Sequence, residues 1–182
     1  KRLILFGSAK ITDKRKGIDY FIESCRVLAE RYPELKDELG IVVYGKDSEQ
    51  LKPLVPFQVY PLNYISNEKE LIDVYNSVDL FVTPSLEENL PNTIMEAMAC
   101  GIPCVGFQVG GIPEMIDHLH NGYVAEYKSV EDFANGIHWI LNEGEYKTLS
   151  EEACRKVSSS YSESAIAKRY IEVYNKVTGS NE

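Results

Sequence analysis

Short apolar runs alternate with longer stretches in which apolar residues recur every three or four positions. Residues 3–6, 41–44, 57–62, 79–83 and 104–109 are compact apolar runs bounded by turn residues, the pattern of buried strands. Gly7 is expected to end the first and Gly45 to turn the chain after the second; Pro56 and Pro61 make the third the weakest. Between the runs, Ile18, Phe21, Ile22, Cys25, Leu28 and Ala29 follow a helical period after Gly17. Asn67-Glu-Lys-Glu70 has the form of a capping box, launching a helix that points Leu71, Ile72, Tyr75 and Val78 inward. A further helix runs from Pro91, placed in its first turn, through Ile94, Met95, Ala97, Met98 and Ala99 to a left-handed stop at Gly101. Gly110-Gly111-Ile-Pro-Glu114 opens a short helix, with Glu114 expected to fix that loop, and residues 121–125 give a turn and a short strand. Ser129 caps a helix bearing Phe133, Ile137, Ile140 and Leu141. Two more helices follow at about 145–158 and 163–177, the last with Ile166, Tyr170, Val173, Tyr174 and Val177 on one stripe.

Strands alternating with helices across short loops predict an α/β fold, a doubly wound, mainly parallel Rossmann-like sheet flanked by helices. Neither a repeat nor an interior linker breaks residues 1–182, which are expected to form a single domain closing with helices at about 145–178. Ligands of such sheets bind outside the carboxyl ends of the strands. The loops after Phe6, Val43, Val82 and Phe107 are therefore expected to face one site. The chain opens on Lys1-Arg-Leu-Ile-Leu-Phe without a methionine, and is expected to be cut from something longer.

Charge narrows the function. A net charge of −9 over 182 residues argues against nucleic-acid binding, which needs a basic face, and makes a poor match to an anionic membrane. No apolar run is long enough to span a bilayer. Cys25, Cys100, Cys104 and Cys154 show no paired framework or zinc-ligand spacing, and are expected to be buried free thiols in a reducing cytoplasm. His118, His120 and His138 lack partners at a telling spacing and read as packing or surface residues.

The stretch 85–107 carries the chemistry. A helix N-terminus at the carboxyl end of a strand offers free N–H groups and a positive dipole end, which suits a phosphate. Glu88 precedes that helix and Glu96 lies within it, so a phosphate seat would have a hydroxyl-binding carboxylate on either side. The plain alternative is a core helix with two solvent-facing glutamates. Lys10, Lys14, Arg15 and Lys16 crowd the loop after the first strand, either as cations for that seat or as a solvated turn.

Glu88 and Glu96, with seven residues between them, lie inside Pro84-Ser85…Glu96-Ala-Met-Ala-Cys-Gly101-Ile-Pro. That string resembles the Glu-x7-Glu signature of the family 4 retaining glycosyltransferases, and the likeness extends from Gly7 to the tyrosine-bearing last helix. The resemblance implies the C-terminal, donor-binding half of a GT-B enzyme built from two Rossmann-like domains. Such an enzyme transfers a sugar from a nucleotide diphosphate sugar, UDP-sugar by default, to an acceptor hydroxyl with retention.

Residue by residue, it implies that Lys16, helped by Arg15, meets the diphosphate and stabilises charge on the leaving phosphate. Glu88 would touch hydroxyls of the transferred sugar and Glu96 the ribose. The amides of Asn92 and Thr93 would cradle the diphosphate, near Gly7 and Ser8 at the end of the first strand. Relatives often carry arginine where this chain has Ser8, and Gly-Phe-Gly where it has Asn89-Leu90-Pro91; Pro91 removes one backbone donor, for which the Asn89 side chain is the candidate substitute. Tyr64 and Ile65, after the third strand, would lie along the base, with Tyr64 either stacking or simply packing. Glu87 is expected to be a bystander.

The chain contains no Asp-x-Asp, the pair with which the other main glycosyltransferase architecture holds a metal, so neither a metal nor any other cofactor is expected. The partners implied are the N-terminal domain of the same polypeptide, toward which the last helix would pack, and a glycan or lipid-linked acceptor of polysaccharide synthesis. The location implied is the cytoplasm, with peripheral contact to the inner membrane face through the absent domain. Alone, the chain is expected to bind donor weakly and transfer little. A sugar-nucleotide epimerase of the same architecture and a non-catalytic nucleotide-binding module remain alternatives.

Overall fold

A computed structural model describes residues 1–179. Six strands, β1 (Arg2–Lys10), β2 (Leu39–Lys46), β3 (Gln58–Leu62), β4 (Leu80–Thr83), β5 (Cys104–Phe107) and β6 (Gly122–Ala125), form one sheet in the order β3-β2-β1-β4-β5-β6. Every neighbouring pair is parallel. The helices are α1 (Ile18–Arg31), α2 (Leu35–Glu38), α3 (Glu68–Asn76), α4 (Asn92–Ala99), α5 (Ile112–Met115), α6 (Val130–Asn142), α7 (Tyr146–Ser160) and α8 (Glu163–Thr178). The doubly wound sheet expected from the alternating pattern is the one observed. Its order reverses direction between β1 and β4, and the crevice at such a switch point is where ligands of these sheets bind.

Side chains alternate across the strands and divide the core into two layers. Ile4, Phe6, Ile41, Val43, Leu80, Val82, Val105 and Phe107 face α1 and α6, and pack with Phe21, Leu28, Phe133 and Ile137. Leu5, Val42, Tyr44, Phe81 and Cys104 face the other layer, with Tyr75 of α3, Met98 of α4 and Ala153 of α7. Both faces are covered, which is why these strands read as continuous apolar runs.

Several local expectations are corrected. β1 does not end at Gly7 but continues to Lys10, with a register shift after Gly7. Gly7 is needed inside the strand because the Tyr44 ring occupies the space where its side chain would be; a Cβ there would lie 2.0 Å from the ring. Pro61 is accommodated because β3 is an edge strand. Asn67 caps α3 as expected, its Oδ1 accepting from the Glu70 N–H at 3.2 Å, but Ile72 is exposed and Val74 takes its place in the core. Tyr75 and Val78 are buried and Leu71 packs against the core as expected, so Ile72 is the one position of the stripe that differs. Pro91 is the N-cap of α4 rather than a residue of its first turn. β5 stops at Phe107, where the Val109 N–H turns back to the Phe107 carbonyl at 2.8 Å.

All four cysteines are free, but only Cys25 and Cys104 are buried; Cys100 and Cys154 are half-buried. Burial pushes the Cys25 and Cys104 thiols well above the ordinary range. Among the described residues, no helix is long and apolar enough to cross a membrane.

Candidate functional site

Two glycines bring distant loops together at the carboxyl edge of the sheet. Gly17 has φ 69°, and a Cβ there would lie 1.7 Å from the Pro84 carbonyl oxygen just after β4. Only glycine tolerates both the conformation and the approach. The Leu86 N–H donates to the Arg15 carbonyl at 2.7 Å and secures the same junction. Asp13 accepts from the Arg15 amide at 3.0 Å and so caps the short 3-10 turn that carries Lys16. Lys16 Nζ thereby reaches Glu88 Oε1 across 72 positions of sequence and forms a hydrogen-bonded ion pair with it. The Glu88 side chain is 12% exposed and that of Lys16 35%, so the carboxylate is largely covered while its partner stays reachable.

The loop after β5 holds Glu88 from the other side. Gly110, at φ 54°, packs so closely that a Cβ would lie 1.7 Å from the Glu88 carbonyl oxygen. The Gly111 N–H donates to the Asn89 carbonyl at 2.7 Å, with the Leu90 side chain against it. Glu114, expected to fix this loop, is exposed; the backbone contacts of Gly110 and Gly111 hold it. From β6's end the Tyr127 hydroxyl donates to the Leu86 carbonyl at 3.2 Å. Residues 86–90 are thus gripped by three neighbouring segments.

Pro91 brings no side-chain acceptor to the start of α4, where Asn92 is exposed and Thr93 half-buried. The positive end of the helix and its first amides are left for another acceptor. One turn further, Glu96 Oε2 accepts a hydrogen bond from the Tyr75 hydroxyl at 3.0 Å, and the Tyr44 hydroxyl lies 3.4 Å from that of Tyr75. Burial pushes both phenols above their ordinary range, Tyr75 the further, with the nearby Glu96 adding to each.

The structure therefore brings together Lys16, Glu88 and Asn89, which line one cleft with Arg15 and Glu87. Glu87, read as a bystander, is on its wall. Arg15 is spread over Asp13 by two side-chain hydrogen bonds of 3.2 and 2.8 Å, so its charge is already engaged. Ser8 is buried, its hydroxyl without a hydrogen-bond partner among the described residues, and its carbonyl lies against Gly45. Gly7 lies beneath Tyr44. Tyr64 is 59% exposed beyond β3, and half-buried Ile65 packs on the α3–α4 layer. The Asn63 carbonyl accepts from the Gly45 N–H at 3.4 Å, which joins this segment to the loop after β2. His118 accepts from the Val124 N–H and His138 stacks on Tyr32, both packing roles. Tyr44 and Tyr75 were missed as polar partners; the sequence signal was a tyrosine at an inward position, where a buried phenol needs a hydrogen bond.

Comparison with known proteins supplies the family and the fold. The family described as glycosyl transferases group 1 matches residues 1–143. An uncharacterized glycosyltransferase of Haemophilus influenzae is 31% identical over 149 residues, which is 80% of this chain and 42% of that protein. The chain thus spans less than half the length of this relative. The C-terminal domain of the group 1 glycosyl transferase LpcC of Francisella tularensis superposes with a TM-score of 0.71 at 23% identity, over 88% of this chain and 86% of that domain. HepE of Anabaena, solved with UDP, gives 0.75 at 20% identity, over 96% of this chain and 49% of its own. By sequence and by fold, this chain belongs to the group 1 glycosyl transferases, family 4, and has the architecture of their C-terminal GT-B domain.

Proposed function

We propose that this chain is the donor-binding domain of a retaining glycosyltransferase that moves a sugar from a nucleotide diphosphate sugar to an acceptor hydroxyl. The observation that carries the reading is the meeting of Lys16 with Glu88 beside the open start of α4, with Glu96 one turn along. The diphosphate would take the Asn92 and Thr93 amides and the Lys16 ammonium, and the ribose would take Glu96. Glu88, released in part from Lys16, would accept from hydroxyls of the transferred sugar. When the bond from the sugar's anomeric carbon to the phosphate oxygen breaks, negative charge builds on the departing diphosphate. A cation and helix dipole fixed there beforehand stabilise that charge without reorganisation. No cofactor enters this account, and the positive charge comes from the protein itself.

UDP is the favoured nucleotide because HepE, of like fold, was solved with it. The acceptor, a glycan or a lipid-linked sugar in polysaccharide synthesis, would be held by a second domain like the remaining length of the relatives. The whole enzyme would work in the cytoplasm, at the inner face of the membrane where the acceptor is lipid-linked. The test is calorimetric titration of the chain with UDP, GDP and ADP in the presence of a chelator, for the wild type and Glu96→Ala. One nucleotide is expected to bind without metal, weakened about tenfold by the substitution, as loss of a charged hydrogen-bond acceptor implies. Binding of none of the three, or equal binding by the variant, would overturn the reading. Robust sugar transfer by the chain alone would overturn the assignment of the acceptor site to a second domain.

A further inference from the structure

Glu96 is an exposed residue of α4, and a glutamate there has three rotatable bonds. Something must choose its direction if it is to meet a ribose. Tyr75 offers the means. Its ring is 1% exposed, fixed in the α3 layer against Phe81 with centroids 6.0 Å apart, and its hydroxyl lies 3.0 Å from Glu96 Oε2.

Proton counting sets the direction of this chain. A carboxylate only accepts, so the Tyr75 proton goes to Glu96. The Tyr75 oxygen is then left as an acceptor, and the Tyr44 hydroxyl, 3.4 Å away, donates to it. The competing acceptor, the Thr93 carbonyl at 3.4 Å, is longer and uncharged. Because burial pushes both phenols up, neither ionises beside the carboxylate. A row of two buried donors ending on a charge is polarised toward that charge, which strengthens each bond. Gly7 belongs to the same device, since any side chain there would collide with the Tyr44 ring.

We propose that Tyr75, backed by Tyr44, is a positioning residue that holds Glu96 by one oxygen and leaves the other directed at the nucleotide's ribose, so that two buried phenols set the preference for ribose hydroxyls. This rests on the reading of Glu96 as the ribose ligand, and the experiment separates the two.

UDP, GDP and ADP, each beside its 2′,3′-dideoxy counterpart, are titrated into wild type, Tyr75→Phe, Tyr44→Phe and Glu96→Ala. Phenylalanine keeps the ring that packs, and circular dichroism checks that the fold persists. Tyr75→Phe is expected to weaken the ribonucleotide about three- to tenfold, the net worth of an ordinary hydrogen bond, and to leave the dideoxy form unchanged. Tyr44→Phe is expected to cost about twofold, as the more remote donor. Glu96→Ala removes the preference altogether. An unchanged preference in Tyr75→Phe, or equal weakening of both forms, overturns the inference and leaves Glu96 its role. No preference in the wild type overturns Glu96 as ribose ligand and the inference with it. Side-chain NMR couplings of Glu96 read the holding without nucleotide: a single rotamer in the wild type and averaging in Tyr75→Phe are expected. Averaging already present in the wild type overturns the inference whatever the titrations give.

Discussion

α6 and α8 carry apolar residues at the same helical spacing, yet they relate to the molecule in opposite ways. In α6, Phe133, Ala134, Ile137, Ile140 and Leu141 are all buried. Its flanks are tied to α1 by the Ser24 hydroxyl on the Val130 carbonyl at 3.1 Å and by Arg31 on Asn135 at 2.9 Å. In α8 no side chain is buried; Tyr170 is 61% exposed, Tyr174 63% and Val177 80%. Periodicity announces an apolar face but does not say what covers it. The sheet covers the face of α6. The described residues leave that of α8 open.

Truncation should separate the two helices most sharply. Phe133 is fully buried with its ring 4.9 Å from Phe107, so Phe133→Ala removes packing on which both α6 and β5 depend. A loss of about 3–5 kcal/mol is expected in urea unfolding, the usual cost of emptying a buried aromatic site. A loss below about 1 kcal/mol would mean that the layer on this side of the sheet is looser than its geometry, against the native packing density of cores.

Two glycines sharpen the contrast at the level of the backbone. Gly17 and Gly179 both have φ 69°, the left-handed conformation. At Gly179, which ends α8, a Cβ would meet nothing within 4 Å among the described residues; at Gly17 it would meet the Pro84 carbonyl. Gly179→Ala therefore costs only conformational strain, about 1–2 kcal/mol. Gly17→Ala adds a collision with backbone and is expected to cost about 2–3 kcal/mol in all, as strain and a close contact combine. It also moves the turn bearing Lys16, so nucleotide affinity should fall in Gly17→Ala and not in Gly179→Ala. Equal effects of the two substitutions would show that the junction at Pro84 yields easily.

The same contrast explains how much could be read from sequence. Runs such as 3–6 and 41–44 announced buried strands because the parallel sheet is covered on both faces. Glu88, Glu96 and Lys16 were legible as candidates from their motif and neighbours. Their geometry was not, because it depends on contacts between loops: Gly17 on Pro84, Gly110 on Glu88, and the Lys16–Glu88 pair. The Tyr75–Glu96 bond was hidden for another reason. A tyrosine at an inward helix position satisfies the apolar pattern, and the pattern says nothing of where its hydroxyl emerges. Ile72 was misplaced because an apolar residue beside Leu71 fits the edge of the helical stripe equally well, and only the packing of α3 decides that Leu71 and Val74 face the core while Ile72 does not.

The smallest effect belongs to the exposed stripe itself. Tyr170 and Tyr174, one turn apart on α8, lie against each other with ring centroids 6.5 Å apart and little else above them. Replacing both by serine gives up a solvent-facing i,i+4 pair worth about 0.2–0.5 kcal/mol and leaves the core untouched. Unfolding of the chain should therefore shift by no more than about 0.5 kcal/mol, within the range of ordinary surface changes. A loss of more than about 1.5 kcal/mol would mean that the stripe is already covered in solution. Sedimentation over a range of concentrations would then tell whether a second copy of the chain covers it. With stability unchanged, the contrast with α6 holds: the same period is core in one helix and an open surface in the other, and the quencher-accessible share of the tyrosine fluorescence, lowered in the double variant but not abolished because Tyr60, Tyr64, Tyr127 and Tyr146 stay exposed, reports which.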